Sequence, residues 1–213
     1  MRRRASVLTA FVGLRTYLCD NPKDRRAAEG ISKSLPDCVP ATFGMPPLTA
    51  DNIRDILHLQ PHPIEGGYFA ETYRSELKIP GDVVGPAYAG ERLIGTAIFY
   101  LLTPDTFSAL HRLPGDELFH FYLGDPVEML HLHPDGHSEL FTLGQDIAAG
   151  MRLQHCVPGR CWQGSRLLPG GSYALLGTTM SPGFDYADYV VGNRETLIRK
   201  YPECKEIIAA LTR

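Results

Sequence analysis

No cysteine pair in this 213-residue chain has CxxC spacing, no segment forms a glycine-rich phosphate loop, and GxSxG is missing. Zinc-finger, nucleotide-hydrolase and serine-hydrolase chemistry therefore lack a sequence footing. The longest apolar run, Leu93 to Leu102, is broken by Gly95 and Thr96 and falls far short of the ~20 residues that cross a bilayer. No membrane partner is expected. Basic side chains are scarce where a nucleic-acid groove would need them. Of the net charge of −3, Met1 to Arg26 contributes +5, seven Lys/Arg against Asp20 and Asp24, which leaves −8 for the remainder. A mildly acidic body without an interleaved basic and aromatic patch argues against phosphate tracking, so no nucleic-acid partner is expected. The five cysteines (Cys19, Cys38, Cys156, Cys161, Cys204) form an odd set that fits a reducing compartment better than a disulfide framework. Cys156 and Cys161 flank Pro158-Gly159, a spacing that would let them face each other across a hairpin.

What is present divides the chain in two. Residues 1–47 read as a disordered extension, with an Arg-rich start, a short apolar run and scattered prolines. A cytoplasmic setting is the expectation, or an organelle if residues 1–45 act as a transit peptide. The domain is expected over 48–213. Thr49 is a candidate N-cap for a short helix carrying Ile53, Ile56 and Leu57, stopped by Pro61 and Pro63. From Gly67 onward, short runs rich in Val, Ile, Tyr, Phe and Thr are separated by turns such as Gly124-Asp125-Pro126 and Pro134-Asp135-Gly136. Strands are expected at 68–75, 93–102, 107–112, 118–123, 127–133, 137–143, 153–157, 162–168 and 173–179. Eight or nine antiparallel strands without intervening helices make an all-β sandwich, jelly roll or small barrel. Asn193 opens a C-terminal helical stretch with Leu197, Ile207, Ile208 and Leu211 on one stripe, expected to pack on a barrel face or a dimer partner.

The stretch from Phe107 to Gly124 carries the clearest chemistry. A strand ending in His111, a tight turn and a strand opened by Glu117 bring an imidazole and a carboxylate to neighbouring strand ends. His120 lies three residues beyond Glu117, so a regular strand turns it to the opposite face unless a bulge re-aims it. His131, His133 and His137 flank a turn. Three imidazoles there would hold Zn²⁺ or Ni²⁺ adventitiously, and a solvated hairpin tip is the favoured reading because no cysteine or carboxylate closes the set.

Glu117 and Gly124, with His111 before them and Pro158 and Gln163 later, resemble the two cupin motifs. Six ordered blocks are similar to the fifth cupin subfamily over Leu48 to Pro202: 62–75, 108–112, 116–126, Trp162-Gln163, 166–171 and 181–185. The resemblance implies a double-stranded β-helix, the cupin jelly-roll barrel, with kinship to nucleotide-sugar epimerases, and a homodimer. An ordinary site of that family holds a divalent metal such as Fe, Mn or Zn among three imidazoles and a carboxylate, so no cofactor is certain and a divalent metal (Fe, Mn, Zn or Ni) is the candidate. Here His111, Glu117 and Gln163 stand at the ligand positions, a set reduced by the neutral amide. The Gly66 to Arg74 segment resembles the strand by which sugar-nucleotide epimerases hold their ligand.

A small-molecule ligand inside the barrel is the expected partner. His111, Glu117, His120 and Tyr68 are the candidate catalytic residues, and Gln163, Phe69, Glu71, Arg74 and Trp162 are candidates for binding. Three readings remain open: a metal-independent sugar or carbonyl isomerase, with His111 or His120 as base and a tyrosine as acid; a metal-dependent oxygenase; and a non-catalytic binding protein. Exposed sheet edges favour a homodimer.

Overall fold

The computed structural model of the protein describes residues 47–88 and 90–213. The extension expected over 1–47, its transit-peptide reading and Cys19 and Cys38 lie, Pro47 apart, outside the described residues.

The chain enters through helix α1 (Ala50–Ile56). The Thr49 hydroxyl accepts from the Asn52 N–H while Asn52 returns a bond to the Thr49 N–H, a reciprocal cap that satisfies two otherwise orphaned donors. Thirteen strands follow: β1 (Gln60–Pro61), β2 (Tyr68–Arg74), β3 (Lys78–Ile79), β4 (Arg92–Leu93), β5 (Thr96–Leu102), β6 (Phe107–Arg112), β7 (Glu117–Gly124), β8 (Val127–Leu132), β9 (Ser138–Leu143), β10 (Gln154–Val157), β11 (Trp162–Leu167), β12 (Ala174–Met180) and β13 (Val190–Val191). A short helix α2 (Gly81–Val84) separates β3 from β4. Two antiparallel sheets form the body, one ordered β1-β2-β5-β12-β7-β10 and the other β13-β6-β11-β8-β9, with β3 and β4 as a separate pair. This is a jelly roll with short helices.

Alternation along the strands decides what lies inside. In β7, Glu117, Phe119 and Phe121 point inward and are buried, while Leu118, His120 and Tyr122 point out. Between the sheets, Tyr100, Phe119, Phe121, Met129, Leu143 and Leu176 form the principal core. The outer face of the five-stranded sheet is covered by the C-terminal segment. Expected as one helix, it is two, α3 (Arg194–Lys200) and α4 (Lys205–Ala210), because Pro202 cannot continue α3. Asn193 caps α3 as expected. Leu197, Tyr201, Ile208 and Leu211 close on Leu110, Leu130 and Leu132, so these helices cover the chain's own barrel. Helix α1 covers part of the other sheet through Ile53, Leu59, Leu101 and Leu175. Among the described residues no helix is long and apolar enough to cross a membrane.

Cys156 and Cys161 do not face each other. The chain passes from β10 in one sheet to β11 in the other between them, leaving Cys156 exposed and Cys161 in the core.

Candidate functional site

A cavity of about 280 Å³ opens between the two sheets. Its floor comes from strands of both. His111 is the last residue but one of β6 in the five-stranded sheet, Glu117 begins β7 in the six-stranded sheet, and each side chain points inward, so the two face each other across the barrel. His111 is 1 % exposed. Its Nδ1 lies 2.8 Å from the Ala109 carbonyl, a partner that can only accept, so Nδ1 carries the proton and Nε2 is left with its lone pair towards the cavity. The ring stacks on Tyr189 at 4.6 Å.

A second carboxylate converges on the same space. Glu65 sits in the loop before β2, where its carbonyl accepts from the Ala109 N–H at 2.9 Å. Its Oε1 accepts from the Ser108 hydroxyl, and Oε2 lies 4.0 Å from His111 Nε2. His62 accepts from the Glu65 N–H through Nδ1 at 2.9 Å and rests edge-on against Phe69 at 4.8 Å. Glu117 is anchored by Gln163, whose Nε2 donates to Oε2 at 2.7 Å.

Burial sets the electrostatics. It raises the carboxyl pKa values of both Glu65 and Glu117 above the ordinary range, with Ser108 and His62 opposing the shift at Glu65 and His111 opposing it at Glu117. It lowers those of His62 and His111, again as the largest cause. Buried carboxyls biased towards the neutral acid beside an imidazole biased towards the neutral base give one site both halves of a proton-transfer pair.

The mouth is shaped by β2 and by the loop after β12. A register shift between Glu71 and Tyr73 places Glu71 and Arg74 on the cavity side together, as a bulge does. Arg74 donates to Glu71 through Nε at 2.8 Å and Nη2 at 2.7 Å. The loop carrying Phe184, Tyr186 and Tyr189 is pinned by the Phe184 N–H on Thr96 Oγ1 at 2.9 Å and by Arg92 Nε on Asp188 at 2.7 Å.

Of the residues expected at the site, His111, Glu117, Phe69, Glu71 and Arg74 line the cavity, and Gln163 lies behind Glu117. Three fall elsewhere. Tyr68 is turned to the outer face by strand alternation and lies under the Arg54 guanidinium at 4.9 Å. His120 also faces out, with Nε2 3.2 Å from Thr179 Oγ1 and Nδ1 3.1 Å from Gln154 Nε2; no bulge re-aims it. Trp162 lies on the helix-covered face beneath Arg112 at 4.8 Å. Sequence reasoning missed Glu65 and His62, although both stand in the His62-Pro-Ile-Glu65 block that it singled out.

The residues that stand at the cupin metal positions do not gather as a metal set. One imidazole is present, and the Gln163 amide nitrogen, which cannot ligate, occupies a Glu117 lone pair. Groups of His, Cys and Glu close enough to hold an ion lie elsewhere among the described residues, at His131, His133 and Cys161 and at His131, Glu139 and His155.

Comparison with known proteins agrees with this architecture. The family profile described as Cupin superfamily (DUF985) matches residues 51–191. An uncharacterized protein of Saccharomyces cerevisiae, YML079W, is 30% identical over 154 residues, covering 68% of this chain and 73% of its own. A hypothetical protein from Leishmania major superposes with a TM-score of 0.69 at 30% identity, covering 78% of this chain and 99% of that one. Protein SO0799 from Shewanella oneidensis gives 0.68 at 32% identity, covering 78% and 98%.

Proposed function

The chain belongs to the cupin superfamily, and we propose that within it this protein binds a small polyhydroxylated carbonyl compound, such as a sugar, and isomerises it without a metal. The observation that supports this reading is the meeting of His111 Nε2, with its lone pair free, and the largely buried Glu65 carboxyl at 4.0 Å in one cavity. His111 removes the proton from the carbon next to the carbonyl and becomes imidazolium, while the neutral Glu65 carboxyl protonates the carbonyl oxygen and becomes carboxylate. The resulting enediol takes its proton back from His111 on either carbon and returns the hydroxyl proton to Glu65, so the pair ends as it began. Glu117, held by Gln163, is the second carboxyl and orients a substrate hydroxyl. His120 and Tyr68 have no part, since both face away from the cavity.

Size narrows the substrate. A cavity of about 280 Å³ stands just below the ~300–1,000 Å³ of typical ligand pockets. It suits a single sugar ring or a short chain. The Glu71–Arg74 pair at the mouth already neutralises its own charge, which favours an uncharged substrate. A homodimer is part of the same reading. Strand β1 covers only Tyr68 and Phe69 of β2, which leaves the rest of that edge for a second copy, and light scattering should give twice 23.6 kDa; a mass of one chain rejects the dimer.

A thermal-shift screen over hexoses and small oxo-acids tests the binding claim, because a ligand held by the native state raises the melting temperature by mass action. A sugar that stabilises the wild-type chain and not the His111→Gln chain is expected. Equal shifts in both place the ligand outside this cavity.

A further inference from the structure

The strongest feature outside the cavity is His131. It is wholly buried on β8, and neither ring nitrogen has a hydrogen-bond partner, although an imidazole always carries at least one donor. Its neighbours are ligand-bearing. His133 follows two residues on, just past the end of β8, and Cys161 stands just before the adjacent strand β11, one step beyond the Trp162–Leu132 pair. One donor atom from each of the three lies within 4.8 Å of the other two.

We propose that His131, His133 and Cys161 form a zinc site at the closed side of the barrel, separate from the His111 cavity, with water in the fourth position. Two imidazoles and a thiolate are the donor set that selects Zn²⁺ over the harder ions that carboxylates and waters hold. Tetrahedral ligands about 2.0–2.3 Å from zinc stand about 3.4–3.8 Å apart, so the donors close by roughly 1 Å through side-chain rotation. The binding step releases the Cys161 proton to solvent as the sulfur–zinc bond forms.

The backbone beneath the site is held in place. The His133 N–H donates to the His137 carbonyl at 2.8 Å, the His133 carbonyl accepts from the buried Tyr201 hydroxyl at 2.6 Å, and Lys200 Nζ donates to the Pro134 carbonyl at 3.0 Å. The hairpin that bears His133 is therefore fixed to α3. The alternative group, His131 with Glu139 and His155, already contains a cation. Arg152 bonds Glu139 through Nη2, lies 3.0 Å from His155 Nδ1 through Nη1, and rests over Phe141 at 4.1 Å. An ion there would have to displace a guanidinium.

Cobalt provides the test, since a thiolate bound to Co²⁺ gives an intense near-ultraviolet charge-transfer band. The full chain, stripped with chelator and titrated with Co²⁺, should bind a single ion with that band and release it to equimolar Zn²⁺. Cys161→Ser should lose the band, His133→Ala should bind at least ~10-fold more weakly, and His111→Gln should match wild type. Circular dichroism of each stripped variant reports whether it is folded. If Cys161→Ser does not fold, the half-exposed His133→Ala carries the comparison. A band that survives Cys161→Ser or is lost in His111→Gln, or a folded wild-type chain that takes up no Co²⁺, overturns the site.

Discussion

Gln163 sits opposite His111 on one neighbouring strand and opposite His131 on the other, so one rung of the five-stranded sheet carries both polar centres of the barrel interior. Their environments differ. On the β6 side three titratable groups have partners: His111 the Ala109 carbonyl, Glu117 the Gln163 amide nitrogen, Glu65 the Ser108 hydroxyl. On the β8 side the His131 nitrogens have none, and burial holds that imidazole neutral, its pKa pushed down to about 3. The difference teaches what each side is built for. Titratable groups paired within the chain preorganise protons around a cavity, whereas a buried imidazole with neither nitrogen paired calls for a ligand that the chain does not supply.

Four substitutions and a pH titration would break or sharpen that contrast. The largest effect belongs to the wall both sides share. Phe119 is 2 % exposed in the principal core, and Phe119→Ala should remove about 3–5 kcal/mol of stability in urea unfolding; a loss under about 1 kcal/mol would mean that the interior is not packed as described. Next come matched changes on the rung. Gln163→Leu strands the Glu117 carboxyl without its donor and should lower stability by ~1–3 kcal/mol. His131→Leu in chelator-stripped protein removes two unpaired buried nitrogens and should be neutral or stabilising, within about 1 kcal/mol. Equal losses from both would erase the distinction.

The smallest effect is a pair of slopes. The depressed pKa values of His62 and His111 contribute stability that is present above the ordinary imidazole range and lost as pH falls through the depressed values. The raised values of Glu65 and Glu117 contribute stability present below the ordinary carboxylate range and lost as pH rises through the raised values. His111→Gln should flatten the acid limb of a melting-temperature profile and, by removing the charge that opposes the Glu117 shift, steepen the limb set by the carboxyls. Unchanged slopes in that variant would show that His111 titrates as it does in the unfolded chain.

Much of the barrel was legible in the sequence because strand periodicity and turn chemistry are local. β6 was placed to the residue, and the other long strands fell within a residue or two, except that Gly95 splits the expected run 93–102 into β4 and β5. His111 and Glu117 were legible for the same reason, since both lie at strand ends joined by one turn. Tyr68 was misplaced although alternation from Phe69, which lines the cavity, would have turned it outward. Glu65 was not legible as a site residue: its hydroxyl partner Ser108 is 43 positions away, and only sheet topology brings the loop to β6. Cys161 and His131 are likewise joined by the pairing of β11 with β8, which the sequence does not state, so the histidine hairpin read as solvated where the structure buries its first member.

Solvent deuterium exchange measures the central claim most directly. With chelator-stripped protein in D₂O and a sugar that the thermal-shift screen shows to bind, NMR should detect deuterium entering the carbon next to the carbonyl, and His111→Gln should slow that entry by about 10²–10⁴-fold, the usual worth of a positioned general base. Exchange at the wild-type rate in His111→Gln, or exchange that begins only when a divalent metal is restored, would contradict the account.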